Sequence, residues 1–214
     1  MANDFLALSI SEKQPGTGKF NVIAMDTFRY RLYPIRLKKN EIISSDGRII
    51  WDVGRITTAE SVEMESESTT DSRNFECVVK NCRLSDEPVN LKRILEENST
   101  DYQDFLNSPN MRFAIVKARE VLSIQLEKRT EDERPTCRIR VSFGSYNDKL
   151  LNKDYRWVNY WLWQYDHCSE AQLEENCSRY LQLLNRRGKT LYLILYRHYF
   201  KNGPQKWIAG MHWL

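Results

Sequence analysis

The chain has 214 residues, of which 41% are hydrophobic and 29% charged, and its formal net charge is +3. This length suits one large domain or two small ones, and the composition is that of an ordinary folded protein. No stretch approaches the roughly 18 apolar residues of a membrane helix, and the first residues lack the pattern of a secretory signal. The five cysteines are odd in number and far apart, which argues against a disulfide framework. These features predict a cytoplasmic protein with no membrane partner.

Charged and aromatic residues are distributed unevenly along the chain. Residues 1–111 contain 14 Lys and Arg against 18 Asp and Glu, a net charge of −4, whereas residues 112–214 contain 18 against 11, a net charge of +7. Of the 25 Phe, Trp and Tyr residues, 16 lie in the second half. A basic region rich in aromatic rings is typical of proteins that bind single-stranded nucleic acid. The same composition also fits an aromatic core beneath a solvated basic surface.

The first half is predicted to consist mainly of β-strands. Short strand-like runs separated by turn signals lie at 5–12, 19–28, 30–37, 47–64 and 75–82. An acidic, polar loop is predicted at 65–72. Helical patterns follow at 90–98, where Asn90 is the expected N-cap, and at 101–107.

A domain boundary is predicted near Pro109, which follows the second helical pattern. It divides the chain into an acidic first domain at 1–109 and a basic, aromatic-rich second domain at 110–214.

The second half predicts a definite order of elements. A long strand, or a strand with a bulge, is expected at 112–127, followed by an alternating strand at 136–143 and a third strand at 155–163. A capping box formed by Ser169 and Gln172 then opens a helix, and a two-strand hairpin ends the chain. This order is the topology of the OB-fold, a five-stranded barrel with a helix between its third and fourth strands. An α+β sheet packed on the helix fits the same pattern.

The overall prediction is a mainly β (α+β) chain of two tandem small β-barrels with OB-like topology and short helices. In an OB-fold, the second and third strands form the binding face. Arg138 and Arg140 lie two residues apart on one of these strands, a distance of about 7 Å that matches successive phosphates of an extended single strand.

Aromatic side chains complete the predicted nucleic-acid site. Trp157 and Trp161 supply rings on which bases could stack, although clustered tryptophans are as often buried. In the strand at 190–200, Leu191, Leu193 and Leu195 are expected to point inward, and Tyr192 and Tyr196 outward. The full set of predicted binding residues is Arg138, Arg140, Arg156, Trp157, Trp161, Tyr192, Tyr196 and Lys206.

Motifs for catalysis, metal ions and cofactors are missing from the sequence. There is no Gly-x-Ser-x-Gly motif, and the five cysteines and three histidines lack the spacing of a zinc site. We therefore predict no catalytic residue, no metal and no cofactor, and the sequence does not support an enzyme.

Three segments of the chain resemble the bacterial dual OB-containing domain family: AIVKAREVLSIQLE, RIRVSFGSYNDKLLNKDYRW and LYLILYRHYFKNGPQKWIAG. Tyr146 and Asp154 match a tyrosine and an aspartate of the family's middle segment, whereas the family's Thr-Asp pair is absent because Lys153 precedes Asp154. The resemblance implies two β-barrels, a binding role related to nucleic acid or nucleotides, and a part in bacterial conflict with phage.

Two functions are compatible with these patterns. The first is a non-catalytic module that binds single-stranded DNA or RNA, for which a protein partner encoded nearby is a further expectation. The second is a protein-interaction or scaffold subunit without any nucleic-acid contact. Salt dependence separates them, because phosphate contacts weaken steeply as salt is added and an apolar interface does not.

Overall fold

The computed structural model describes residues 2–12, 18–66, 75–128, 130 and 133–214. These residues form two compact units, one made of Met1–Asn98 with Arg197–Gln205 and the other of Ser99–Tyr196 with Lys206–Leu214. Within the described residues each unit is built on a 7-stranded sheet with short helices, so the predicted mainly β class is confirmed. The domain boundary near Pro109 stays a prediction. None of the helices in the described ranges is long and apolar enough to cross a membrane.

The first unit follows the predicted strands at most positions. Its elements are β1 (Asn3–Glu12), β2 (Lys19–Asp26), β3 (Leu32–Lys38), α1 (Lys39–Ile42), β4 (Ile56–Ala59), β5 (Ser61–Ser66), β6 (Phe75–Lys80), β7 (Arg83–Leu84) and α2 (Leu91–Glu97). The strands lie in the order β5-β6-β3-β2-β1-β4-β7. Asn90 caps α2 as predicted, because its side chain accepts a hydrogen bond from the Arg93 N–H at 3.1 Å. The predicted loop at 65–72 lies outside the described residues from 67 onward.

The second unit contains the remaining strands, the last two of which also include residues from 197–205 of the first unit. Its elements are β8 (Ser99–Thr100), α3 (Tyr102–Asn107), β9 (Phe113–Ala118), β10 (Glu120–Glu127), β11 (Thr136–Ser142), β12 (Asn147–Asn152), α4 (Tyr155–His167), α5 (Glu170–Leu184), β13 (Leu191–Phe200) and β14 (Gly203–Trp213). The strands lie in the order β10-β11-β12-β14-β13-β9-β8. Core side chains of β11 and β13 pack against Trp161 of α4 and Leu184 of α5. The capping box of Ser169 and Gln172 opens α5, as predicted.

The predicted strand at 155–163 is wrong, because these residues form the first part of α4. Trp157, Tyr160 and Trp161 are spaced as on one face of a helix, and that face packs on the core. Asp154 provides the N-cap, since its carboxylate accepts the N–H of Arg156. The third strand of the sheet is instead β12, whose polar sequence NDKLLN gives a weak strand signal.

The predicted long strand at 112–127 is divided into β9 and β10 at Arg119. The two parts pair differently, since β9 pairs with β13 and β10 pairs with β11. A register shift between Val121 and Ser123 adds a bulge to β10. The bend at Arg119 therefore connects β9, near one end of the strand order, to β10 at the other end.

The predicted barrels are not confirmed by these sheets. Within the described residues, the strand pairings give an open order in each unit, with β5 and β7 at the ends of one sheet and β10 and β8 at the ends of the other.

Candidate nucleic-acid interface

The two predicted arginines of β11 lie on the face of the sheet that points away from the core. Arg138 pairs with Leu151 of β12, and Arg140 pairs with Lys149. Side chains that are directly paired across strands project from the same face. The residues that alternate with the arginines are buried in the core: Cys137, Ile139 and Val141. Arg138, Arg140 and Lys149 thus lie together, and we call these three residues the basic face.

One carboxylate balances part of the charge of the basic face. Glu127 of β10 forms an ion pair with Arg138, whose Nε lies 3.0 Å from Glu127 Oε2, and accepts a hydrogen bond from Lys149 Nζ. The three side chains are between 29% and 41% exposed, so water screens both ion pairs. Arg140 is exposed and forms no ion pair within the described part of the chain. Three cations and one carboxylate leave the basic face with a net charge of +2.

The direct pairing of Arg140 with Lys149 is unfavourable for folding. Like charges in opposed positions of an antiparallel pair repel and destabilise the pair. Lys149 is compensated by Glu127, but Arg140 has no such compensation among the described residues. Arg140 is therefore an exposed cation beside a second cation on the outer face of the sheet.

Trp207 of β14 extends this face and was missed from the sequence. It pairs with Leu151 in the parallel ladder of β12 and β14, in the same row as Arg138. Lys153 Nζ lies 5.6 Å from the centre of its ring, and the Tyr196 ring lies 5.4 Å away. Successive side chains of a strand point to opposite faces, and Ile208 is buried. Trp207 therefore projects from the other face of β14, and the alternation of residues along this strand was the signal in the sequence.

Arg156 is engaged by Asp154 at the start of α4. The carboxylate of Asp154 is fully buried and accepts hydrogen bonds from the N–H of Arg156 at 3.1 Å and from Arg156 Nη2 at 3.0 Å. It also accepts the N–H of Met211 in β14 at 2.9 Å. Asp154 therefore joins α4 to the sheet, and the half-exposed Arg156 shares its charge with this carboxylate.

The two tryptophans predicted to stack on bases lie on α4 and face α5. Trp161 is 0% exposed, which makes it a core residue, the alternative that the sequence left open. Trp157 is partly buried, and its ring contacts that of Tyr180 edge to face at 5.7 Å. Because Trp161 is enclosed, it has no surface on which a base could stack.

Both faces of β13 are buried, so the predicted exposure of Tyr192 and Tyr196 is not observed. Tyr192 is 1% exposed and Tyr196 is 9% exposed. The Tyr196 ring stacks on Phe113 at 5.1 Å, and its hydroxyl accepts a hydrogen bond from Arg112 Nη2 at 3.1 Å. The leucines at 191, 193 and 195 lie in the core, as predicted. Alternation along a strand cannot distinguish one buried face from two.

Lys206 is held by Asp148 and Tyr102. Its Nζ donates a hydrogen bond to Asp148 Oδ2 at 2.5 Å and lies 3.1 Å from the Tyr102 hydroxyl. That hydroxyl also donates to Asp148 Oδ2, while the Tyr102 ring stacks on Phe143 at 3.8 Å. Burial would raise the pKa of Asp148, but the hydrogen bonds from Lys206 and Tyr102 outweigh it and lower the pKa. The charge of Lys206 is thus already paired inside the protein.

The lowered pKa of Asp148 predicts an acid-dependent loss of stability. The ionised carboxylate stabilises the folded state fully above its unfolded pKa of about 3.9, and this contribution disappears as the pH falls through the lower folded pKa. We therefore expect Asp148→Asn to reduce the free energy of unfolding at pH 7, and the difference from the wild type to shrink below about pH 4. Urea denaturation of the wild type and of Asp148→Asn, at pH 7 and below pH 4, measures this difference in the free energy of unfolding. A difference that grows in acid would contradict the assignment.

Burial keeps three of the five cysteine thiols in the protonated form. Burial raises the pKa of Cys137 to about 12 and that of Cys82 to about 11, and it also raises the pKa of Cys177. These three thiols are protonated at neutral pH, and the thiol is not the nucleophilic form of cysteine. Within the described residues, no group of three or more His, Cys, Asp or Glu side chains could hold a metal ion.

Comparisons with known proteins give only weak structural likenesses. No family model matches the chain, and no curated protein matches it. Among solved structures, it is similar to the HINa domain of Ifi202, determined in complex with a 20-bp double-stranded DNA, with 8% identity, 100% of this chain and 95% of that chain covered, and a TM-score of 0.42. A murine DNA-binding protein bound to double-stranded DNA gives 10% identity, coverage of 99% and 93%, and a TM-score of 0.41. The HINb domain of p204 gives 9% identity, covers 98% of this chain and 94% of that chain, and has a TM-score of 0.42. At these values the likeness assigns neither a fold nor a function.

Proposed function

We propose that this chain is a non-catalytic nucleic-acid-binding module, and that the basic face of its second unit contacts the phosphate backbone. The observation that carries the proposal is the direct pairing of Arg140 with Lys149. This like-charge pair weakens the sheet, and a polyanion laid across it would turn the repulsion into two attractive contacts. Arg138 lies on the same strand face as Arg140 and adds a third cation.

We further propose that the ligand is single-stranded DNA or RNA. Arg138 and Arg140 are two residues apart on β11, a distance of about 7 Å along a strand, which suits successive phosphates of an extended single strand. Trp207 lies in register with Arg138 across the sheet, through Leu151 of β12. Its ring is the aromatic group beside the proposed phosphate contacts. Cations beside an aromatic ring are a common arrangement for single-strand binding.

The OB-like barrel is also a proposal, supported by how the strands are connected. β9 and β10 are separated only by Arg119, yet they pair with opposite ends of the series β11-β12-β14-β13. Likewise, β4 and β5 are separated only by Glu60 and flank the series β6-β3-β2-β1. A single bent strand that pairs on both sides would close each series into a small barrel.

The proposed site is tested by the double variant Arg138→Ala with Arg140→Ala. We expect weaker binding to every single-stranded sequence, because phosphate contacts carry no sequence information. The slope of log K against log salt should decrease by ~0.7 for each lost contact with a single strand. Fluorescence anisotropy with labelled single-stranded DNA, single-stranded RNA and duplex DNA at several salt concentrations measures both quantities.

The matched control is the double variant Arg134→Ala with Arg179→Ala. It removes the same charge from the same unit, where these arginines are 73% and 68% exposed and paired with Asp166 and Glu175. We expect it to bind like the wild type. If the variant of the basic face binds as tightly as this control at low salt, the proposed site is wrong; if the wild type binds no polynucleotide, so is the proposed function.

The roles in bacteria and against phage that the resemblance implies stay predictions from the sequence, as does a protein partner encoded nearby.

A further inference from the structure

The turn between β2 and β3 of the first unit exposes two aromatic rings. Phe28 is 88% exposed and Tyr30 is 59% exposed, and the exposed side chains of Arg29 and Arg31 alternate with them. We call these four residues the aromatic turn. Large apolar rings are normally buried, because exposing them forgoes hydrophobic stabilisation. Two such rings on one turn, interleaved with two guanidinium groups, therefore need an explanation beyond folding.

A single aspartate fixes the conformation of the aromatic turn. Asp26 is 5% exposed, and its Oδ1 accepts the N–H groups of Phe28 at 2.9 Å and Arg29 at 2.8 Å. Its backbone carbonyl accepts the N–H of Tyr30 at 2.8 Å, and its own N–H donates to the carbonyl of Arg31 at 2.9 Å. All four residues of the turn are thus bonded to Asp26. The rings are presented by a preorganised backbone, which reduces the entropy lost on binding.

The backbone of Tyr30 is strained in a way that glycine would avoid. Its φ angle is +54°, in the left-handed region that residues with a Cβ rarely adopt. Glycine takes this conformation without a steric penalty and is the usual residue in such turns. A tyrosine at this position is unfavourable for the turn itself. Strain of this kind is concentrated at functional sites, which favours a role for the exposed ring.

We propose that the aromatic turn is a second nucleic-acid contact, in which Phe28 and Tyr30 stack on unpaired bases while Arg29 and Arg31 contact the adjoining phosphates. This inference rests on the proposed function and adds the part of the ligand that the turn would recognise. Every base has a π-face, so such stacking is independent of sequence but requires bases that are not already stacked in a duplex.

The charges of the aromatic turn fit this ligand. Arg29 is 58% exposed and shares the buried Asp26 at 3.4 Å, while Arg31 has no ion pair among the described residues. Guanidinium groups beside exposed rings suit a ligand that alternates flat bases with phosphates. A purely apolar protein pocket would leave Arg31 without a counterpart and would offer nothing to the exposed guanidinium of Arg29, so it does not explain the charges of the turn.

The test compares Phe28→Leu with Phe28→Trp in the full chain. Leucine keeps an apolar side chain but removes the π-face, whereas tryptophan keeps the π-face. With fluorescein-labelled oligothymidylate, we expect Phe28→Leu to weaken binding about 5- to 150-fold, equivalent to ~1–3 kcal/mol for one stacked base. Phe28→Trp should bind at least as tightly as the wild type. Neither variant should change the salt slope or the affinity for blunt duplex DNA.

Met64→Ala is the matched control, because Met64 is also in the first unit and is 64% exposed. It should bind like the wild type, and all variants should keep the wild-type melting temperature because the replaced side chains are exposed. Unchanged binding by Phe28→Leu, with a wild type that does bind, would overturn the stacking contact and leave the basic face in place. An equal loss on duplex DNA would also overturn it. Absence of any binding by the wild type would overturn both proposals.

Discussion

Replacing Trp161 with Ala is expected to lower the free energy of unfolding by about 3–5 kcal/mol, the usual cost of removing a large aromatic side chain from a core. Trp161 is 0% exposed and contacts the rings of Tyr160 and Tyr180 at 5.2 Å each. The cavity left behind cannot collapse fully, because its walls belong to two packed helices and a sheet. Urea denaturation measures the loss.

Trp163→Ala provides the control for this prediction on the same helix. Trp163 is 54% exposed and stacks only on His167, at 4.8 Å, among the ring contacts of the described residues. We expect its replacement to change the free energy of unfolding by less than about 1 kcal/mol. Equal losses for the two variants would mean that Trp161 is not the core residue described above. The comparison also separates folding from binding. Any loss of nucleic-acid binding by Trp161→Ala should be proportional to the fraction of unfolded protein.

Replacing Asp154 with Ala is expected to destabilise the second unit by about 3 kcal/mol. The change removes the N-cap of α4, worth ~1 kcal/mol, and leaves the buried N–H of Met211 without its acceptor, which costs ~1–3 kcal/mol. Arg156 loses its ion pair as well, but it is half-exposed and keeps its hydrogen bond to the carbonyl of Met211. Thermal melting followed by far-UV circular dichroism should show the loss as a decrease of several degrees in Tm.

Asp166→Ala is the control for the Asp154 variant. Asp166 lies near the other end of α4, is 42% exposed and forms an exposed ion pair with Arg134 at 3.4 Å. Its replacement should stay within about 0.5 kcal/mol of the wild type. If the Asp154 variant had the same Tm as this control, the buried carboxylate would not join α4 to β14.

Periodicity predicted the elements whose two faces differ in burial. β11 alternates between core residues and arginines, and Arg138 and Arg140 lie on the outer face that the sequence indicated. The same reasoning misjudged β13, since Tyr192 and Tyr196 alternate with core leucines but are themselves buried. It also mistook α4 for a strand. A short run rich in Trp and Tyr fits either period, and the decisive sign was the capping aspartate at 154.

The remaining features depend on contacts between residues far apart in sequence. Lys206 is paired with Asp148 and Tyr102, and nothing in the local sequence of β14 indicates either partner. The aromatic turn is not evident from composition. A count of aromatic and basic residues over half the chain does not resolve a run as short as FRYR, and the half that contains Phe28 and Tyr30 is acidic overall.

The parallel joint between β12 and β14 has a consequence for the folding kinetics of the second unit. β10, β11 and β12 are consecutive antiparallel strands, so their hairpins close short loops and can form early. The pairing of Leu151 with Trp207 must close a much longer loop, and non-local parallel pairings form slowly. Until β14 arrives, β12 is an open edge to which another chain could add. Lys149 on that strand is the kind of charged residue that discourages such addition, so it would protect the chain from aggregation while folding is incomplete.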